Sequence, residues 1–272
     1  MPKAQSYLLP DRRPHVMGIL NVTPDSFSDG GRFNAEAAAL EHARELRDEG
    51  ADILDIGGES TRPGADPVDL EEEWSRLAPV LEPVADLGLP VSIDTYKAEI
   101  ARRACAAGAV IINDVWGLQK DPDMPDTAAE SGAHVVMMHN RPAADPNIDI
   151  LTEIDRWFER SMELAAKAGI PAEKQILDPG FGFGKTIDQN FIILNRLETL
   201  KKHGLQILAG ASRKRMIGAV LNNEAGDRLF GSLAVHMIAA QMGAAIVRAH
   251  DVRPHAEAMK ILAATQAETA EG

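Results

Sequence analysis

A single (β/α)8 TIM barrel, one α/β domain, is the fold class this sequence predicts, and three observations carry the prediction. The chain has 272 residues, and one barrel takes about 250. Eight short apolar runs recur along it, each followed by polar residues at its C-terminal end. Helical stretches lie between the runs, and eight β-then-α units with right-handed crossovers close into a barrel more readily than they leave a sheet with bare edges. A doubly wound open sheet is the competing arrangement.

Taken in order, run 16–21 precedes a helical stretch at 35–49 that Gly50 closes. Run 51–57 precedes 70–87 and Gly88, and run 91–94 precedes 98–107 and Gly108. Run 110–113 leads to Gly132, run 133–138 to a helix over 153–168 and Gly169, and run 175–177 to Gly204. Runs 206–210 and 245–248 complete the set. The runs are aliphatic or β-branched on both faces, the pattern of parallel strands covered on two sides. A glycine just past a helix supplies the left-handed cap that turns the chain back into the sheet. No linker or low-complexity stretch divides the chain, so residues 1–272 read as one domain, with 1–14 an N-terminal extension and 266–272 a tail.

Hydrophobic residues make up 45% and charged residues 25%, enough for a large core. With 28 basic against 41 acidic residues the net charge is −13, which argues against general nucleic-acid binding. The lone cysteine, Cys105, rules out a disulfide framework and suits a buried inert thiol in a reducing compartment. Residues 1–13 contain no apolar signal core, and no apolar run approaches the roughly 20 residues that span a bilayer. A soluble, cytoplasmic protein without a membrane partner is expected.

Barrel chemistry gathers at the C-terminal strand ends. Here those ends carry Asn21, Glu59-Ser-Thr-Arg62, Asp94, Asn113-Asp114, Met138-His139, Asp178, Ser212-Arg-Lys214 and Arg248-Ala-His250. Carboxylates and an amide from the middle strands suit a heterocycle with a donor edge. Cations from the second, seventh and eighth units suit a phosphorylated tail. The stretch Asp178-Pro-Gly-Phe-Gly-Phe-Gly-Lys-Thr186 imitates a phosphate loop, but Pro179 stands where that motif needs glycine. It reads as a strand ending in a carboxylate, then a loop too glycine-rich to hold itself rigid. Plainer readings compete: Asp94-Thr95 as a helix cap, Asn113-Asp114 as a strand-end turn, and His236 as a core histidine. Cations in Arg213-Lys-Arg215 oppose a helix dipole, which favours an anionic ligand there. His134 and His139 lack metal-ligand spacing, and no G-x-S-x-G elbow occurs.

Met17-Gly-Ile-Leu-Asn-Val-Thr-Pro-Asp-Ser-Phe-Ser-Asp-Gly-Gly31 closely resembles the first signature of the dihydropteroate synthase family, and Asp55-Ile-Gly-Gly-Glu-Ser-Thr-Arg-Pro-Gly64 resembles the second. Ser92-Ile-Asp-Thr95, Ile112-Asn-Asp-Val115, the 178–185 stretch, Gly210-Ala-Ser-Arg-Lys214 and Arg248-Ala-His-Asp-Val252 are similar to the rest, in order. The resemblance covers about residues 15 to 255. It implies a transferase of folate biosynthesis, a sulfonamide target, joining 6-hydroxymethyl-7,8-dihydropterin diphosphate to 4-aminobenzoate with release of pyrophosphate through a carbocation-like step.

Carried over by position, the resemblance gives the pterin to Asp94, Asn113, Met138, Asp178 and Lys214. It gives the diphosphate to Asn21, Arg62, Arg248 and His250, with Asn21 also reaching Mg2+. It gives the aminobenzoate to Phe27, Thr61, Arg62, Pro63, Phe183 and Ser212. Asp29 and Asp94 would stabilise the cation, with Lys214 and Arg248 also catalytic. A homodimer through the late helices is implied as well, and the apolar stretch 229–242 reads equally as that face or as core. One departure is Met138-His-Asn140-Arg-Pro142, where the family commonly has Met-His-Met, which leaves the shape of 141–147 open. A methyltetrahydrofolate–corrinoid methyltransferase barrel and a non-catalytic pterin-binding paralogue are the alternatives. The first has no use for the two leading signatures; the second would have lost Asn21, Asp29 or Arg62, and all three are present.

Overall fold

The computed structural model describes residues 13–23, 31–60 and 67–269. Eight parallel strands pair in chain order and the eighth returns to the first, which closes the barrel. They are β1 (His15–Asn21), β2 (Ile53–Gly57), β3 (Val91–Asp94), β4 (Ile111–Asp114), β5 (His134–Met138), β6 (Gln175–Asp178), β7 (Gln206–Ala209) and β8 (Ile246–Ala249). Every expected run is a strand, within two residues at either end. The open-sheet alternative falls, because β1 hydrogen-bonds β2 on one side and β8 on the other.

Nine α-helices surround the strands among the described residues. They are α1 (Gly31–Asp48), α2 (Leu70–Ala85), α3 (Ala98–Ala106), α4 (Met124–Ser131), α5 (Ile150–Ala168), α6 (Ile187–Asn195), α7 (Arg215–Leu221), α8 (Leu229–Gln241) and α9 (Val252–Thr269). Two of them, α7 and α8, share the connection from β7 to β8. All six glycines expected to close helices have positive φ. Asp69 caps α2 by accepting from Glu72 N, and Thr186 and Gln189 form a reciprocal capping box on α6.

Strand side chains alternate between two apolar environments, which is why no polar alternation shows in the sequence. Val16, Leu54, Ile93, Ile112, Val135, Leu177, Ile207 and Val247 face the helices. Met17, Ile53, Ile111, Val136, Ile176, Leu208 and Ile246 form a separate plug inside the barrel. That plug makes the barrel a packed core and puts a floor beneath the C-terminal mouth. Below it, at the opposite end, Asp52 accepts from Arg13 Nη1 at 2.8 Å, Arg13 Nη2 at 2.7 Å and Val16 N at 2.8 Å. Cys105 lies half-buried on α3, and burial pushes its thiol pKa up, as suits an inert residue.

Candidate active site

Directly above the plug the inward positions turn polar. β2 contributes Asp55, β3 Asp94, β4 Asn113, β6 Asp178 and β8 Arg248, while β5 keeps the apolar Met138. Strand register sets Asp94 beside Asn113 and Met138 beside Asp178. Arg248 bridges two carboxylates, with Nε 2.6 Å from Asp55 Oδ2 and Nη2 2.7 Å from Asp94 Oδ2. Asn113 Nδ2 donates to Asp55 Oδ2 at 3.2 Å. Asp94 Oδ1 is buried with no hydrogen-bond partner. Burial pushes Asp94 up to about 7 against the pull of Arg248, and pushes Asp178 up to about 6 against the Gly180 N–H, Lys214, Lys185 and Arg248. Three buried carboxylates thus surround one guanidinium. A neutral ring edge with several N–H donors would satisfy what is left over.

Asp55 is a site residue that sequence reasoning did not assign. Its signal was present: a carboxylate at an inward position of an otherwise apolar strand. Arg248, expected on the diphosphate, stands in the ring layer, with two of its three nitrogens taken by carboxylates.

Val115, Met138 and Phe183 form an apolar wall, with Tyr96 and Trp116 packed against it. Lys214 Nζ lies 4.1 Å from the Phe183 ring centroid, a cation–π contact. Ser212 Oγ accepts from His250 N at 3.2 Å and lies 3.0 Å from His250 Nδ1, so two residues expected in different subsites are neighbours. Asn21 ends β1, and a Cβ on Gly57 would stand 3.9 Å from its Oδ1. Among the described residues no group of three His, Cys, Asp or Glu side chains could hold a metal. A lone amide oxygen fits Mg2+ only where waters and substrate oxygens complete the shell. Phe27, Asp29, Thr61, Arg62 and Pro63 lie outside the described residues.

Some expectations need correction and others hold. Arg213 is not awaiting an anion: its guanidinium is forked onto Asp251 at 2.6 and 3.1 Å. Its φ of 58° is held by Ser232 Oγ on its N–H and Arg228 on its carbonyl. Asp94 does not cap α3, because Asp121 Oδ2 meets the Ala98 N–H at 2.8 Å. The turn reading holds for Asp114, which accepts from Trp116 N and Leu118 N, and not for Asn113. His236 is a core residue whose Nε2 accepts from Ala211 N at 3.0 Å.

The loop after β6 is not loose. Lys185 Nζ donates to the carbonyls of Gly180 at 2.8 Å, Phe183 at 2.9 Å and His139 at 3.3 Å. A Cβ on Gly180 would lie 2.1 Å from His139 O, and one on Gly184 2.4 Å from Arg141 O, so glycine there permits close packing. The same contacts settle the shape of 141–147. That segment packs on Gly184 of the β6 loop and on α6, with Gln189 Nε2 donating to Asp145 O, while Asn140 Oδ1 accepts from Arg141 N.

A half-buried cation lies beside β3. Lys97 Nζ is 2.5 Å from Glu59 Oε2, 2.6 Å from Glu73 Oε2 and 2.5 Å from Val68 O. Tyr96 OH donates to the other oxygen of Glu59, and Thr95 Oγ1 to that of Glu73. Sequence reasoning noted Glu59 only as a strand-end residue. Its partners, Tyr96 and Lys97, lie nearly forty positions away in the segment between β3 and α3, which spacing alone does not reveal.

Residues 17–250 match the family model described as pterin binding enzyme. The dihydropteroate synthase of Bacillus subtilis is 47% identical over 96% of this chain and 90% of its own length. Two crystal structures are similar throughout. One is a dihydropteroate synthase from Clostridium difficile in the presence of pteroic acid, with TM-score 0.92 and 45% identity over 94% of this chain and 99% of that one. The other is that of Xanthomonas albilineans with 4-aminobenzoic acid, with TM-score 0.90 and 46% identity over 94% of each chain.

Proposed function

Because this chain belongs to the dihydropteroate synthase family of pterin-binding transferases, we propose that its barrel mouth joins a dihydropterin diphosphate to 4-aminobenzoate by an ionising mechanism. The observation that carries the reading is the carboxylate-rich layer over the plug, with Asp94 Oδ1 buried and unsatisfied. A pterin edge supplies the missing donors. Asp178 accepts from it in a fork, Asn113 and Lys214 complete the edge, and Met138 packs on the ring.

In the reaction the bond between the pterin methylene and the diphosphate oxygen breaks, and its electron pair leaves with the diphosphate. The cation left on the methylene is stabilised by the ring, by Asp94 beneath it and by Asp29. The amine lone pair of aminobenzoate then forms the new C–N bond and the amine gives up a proton. Arg248, His250 and Arg62 oppose charge that grows on the leaving oxygens, so they favour the transition state over the ground state. Mg2+ held by Asn21 and the diphosphate would neutralise part of that charge. Phe27, Thr61, Arg62, Pro63, Phe183 and Ser212 shape the aminobenzoate side.

We place this work in the cytoplasm and in a homodimer. No helix among the described residues is long and apolar enough to cross a membrane. α8 buries Val235 and Ala239 yet leaves Phe230 80% exposed, beside exposed Val220 and Leu221 of α7, so it serves both as core and as a candidate dimer face. Turnover with both substrates, followed by pyrophosphate release, tests the activity. Release without 4-aminobenzoate in the products, or none at all, overturns it. Aminobenzoate should bind tightly only with pyrophosphate and Mg2+ present. Equal binding to the empty enzyme rejects the assembly of its site over charge already in place.

A further inference from the structure

Lys185 takes no part in the reaction just described, yet it is buried beside the ring layer with its three N–H bonds matched to three carbonyls. Three acceptors need a charged ammonium, since a neutral amine offers two N–H donors. One of those carbonyls belongs to Gly180, whose own N–H donates to Asp178 Oδ1 at 2.7 Å. The hydrogen bonds therefore run from Lys185 through one glycine to the carboxylate. The loop cannot substitute for this staple, because Gly180, Gly182 and Gly184 all sit at positive φ and pack against the β5 loop and Lys214.

We propose that Lys185 is a positioning residue for substrate recognition, whose buried charge fixes the β6 loop and holds Asp178 ionised and aimed at the pterin edge. The inference rests on the pterin reading of Asp178. Burial presses the Lys185 ammonium down to about 7, with Lys214 and Arg141 adding to the effect and Asp178 opposing it. The charges that face this pair come from every neighbouring unit. They are His139 and Arg141 of the β5 end and loop, Lys214 after β7, Arg248 of β8, and through Arg248 also Asp55 and Asp94. His139 is held neutral, with burial and the two nearby cations pushing it down to about 2. Lys185, Lys214 and Arg248 are the cations that pull Asp178 toward its charged form.

The test is calorimetric affinity for 6-hydroxymethylpterin, which has the ring but no diphosphate, between pH 5 and 7.5. In the wild type the affinity should fall as pH drops through the Asp178 transition. K185M should move that midpoint up by roughly half a pH unit or more. K185Q keeps two donors for the carbonyls but no charge, so it should move the midpoint equally with a smaller loss of thermal stability. In an Asp178→Asn background, K185M should change affinity less than about twofold, because its route is gone. Folded variants with an unmoved midpoint overturn the proposal, and so does failure of both to fold, which would assign Lys185 to the fold alone. If Asp178→Asn itself binds 6-hydroxymethylpterin as the wild type does, the pterin reading of Asp178 fails instead.

Discussion

The two ends of this barrel each pair arginine with aspartate, and to opposite effect. At the N-terminal end Asp52 accepts from both terminal nitrogens of Arg13 and a backbone N–H, and despite burial these partners, with His15, hold its carboxyl well below the usual range. At the C-terminal end Arg248 is shared between Asp55 and Asp94, and burial prevails, lifting Asp94 to about 7. At the base both oxygens of Asp52 accept hydrogen bonds. At the mouth Asp94 Oδ1 is left unanswered, and that surplus is where a ligand belongs. Identical residue types thus serve stability at one end and recognition at the other, decided by whether every lone pair is answered.

The largest effect should come from Arg248→Gln, which strands two buried carboxylates and weakens the response to departing diphosphate. Single-turnover rates should fall by about 10²–10³, or 2.7–4 kcal/mol, and a wild-type chemical rate would show that Arg248 only organises the ring layer. Lys214→Gln should differ by weakening both substrates. Next, Asp178→Asn should cost at least about tenfold in pterin diphosphate affinity, or 1.5–3 kcal/mol, because a charged fork becomes a single acceptor beside an unmatched donor. Near-wild-type calorimetry would remove Asp178 from the ring edge.

At the base, Asp52→Asn should lower stability by about 1.5 kcal/mol at neutral pH with kcat and KM unchanged. Its depressed pKa sets the sign: the contribution is present above the unfolded value of about 3.8 and is lost as pH falls through the lower folded value. A changed KM would blur the division between the two ends. The smallest effect is the mirror image. Asp94 has a raised pKa, so its contribution is full below the unfolded value and is lost as pH rises through about 7. In thermal melts without substrate, Asp94→Asn should therefore compare better with wild type at pH 8 than at pH 5. The reverse order would mean that Arg248 fully satisfies Asp94 and that the mouth has no surplus.

Strand positions were legible because strands buried on both faces leave an unbroken apolar signature, and the glycines past the helices punctuate it. Asp94, Asn113 and Asp178 were legible as polar residues where such runs stop. Asp55 was not singled out, because it sits inside a run rather than at its end. The fate of Arg213 was hidden, since its partner Asp251 lies 38 positions away and only barrel closure joins β7 to β8. The glycine loop after β6 misled for a related reason. Composition reports conformational freedom, whereas the restraint comes from a lysine whose acceptors depend on the fold.

The Lys97 ammonium touches Glu59 and Val68 at once, so the chain leaves and re-enters the barrel at a single point. The scaffold thus ties Glu59 to Val68 at that point. The entropy of bringing these two residues together is spent during folding, not at the moment of binding. Doubling the length of such a segment costs only about 0.6 kcal/mol. The tie therefore tolerates a change in the number of residues between Glu59 and Val68, while the barrel beneath stays as it is.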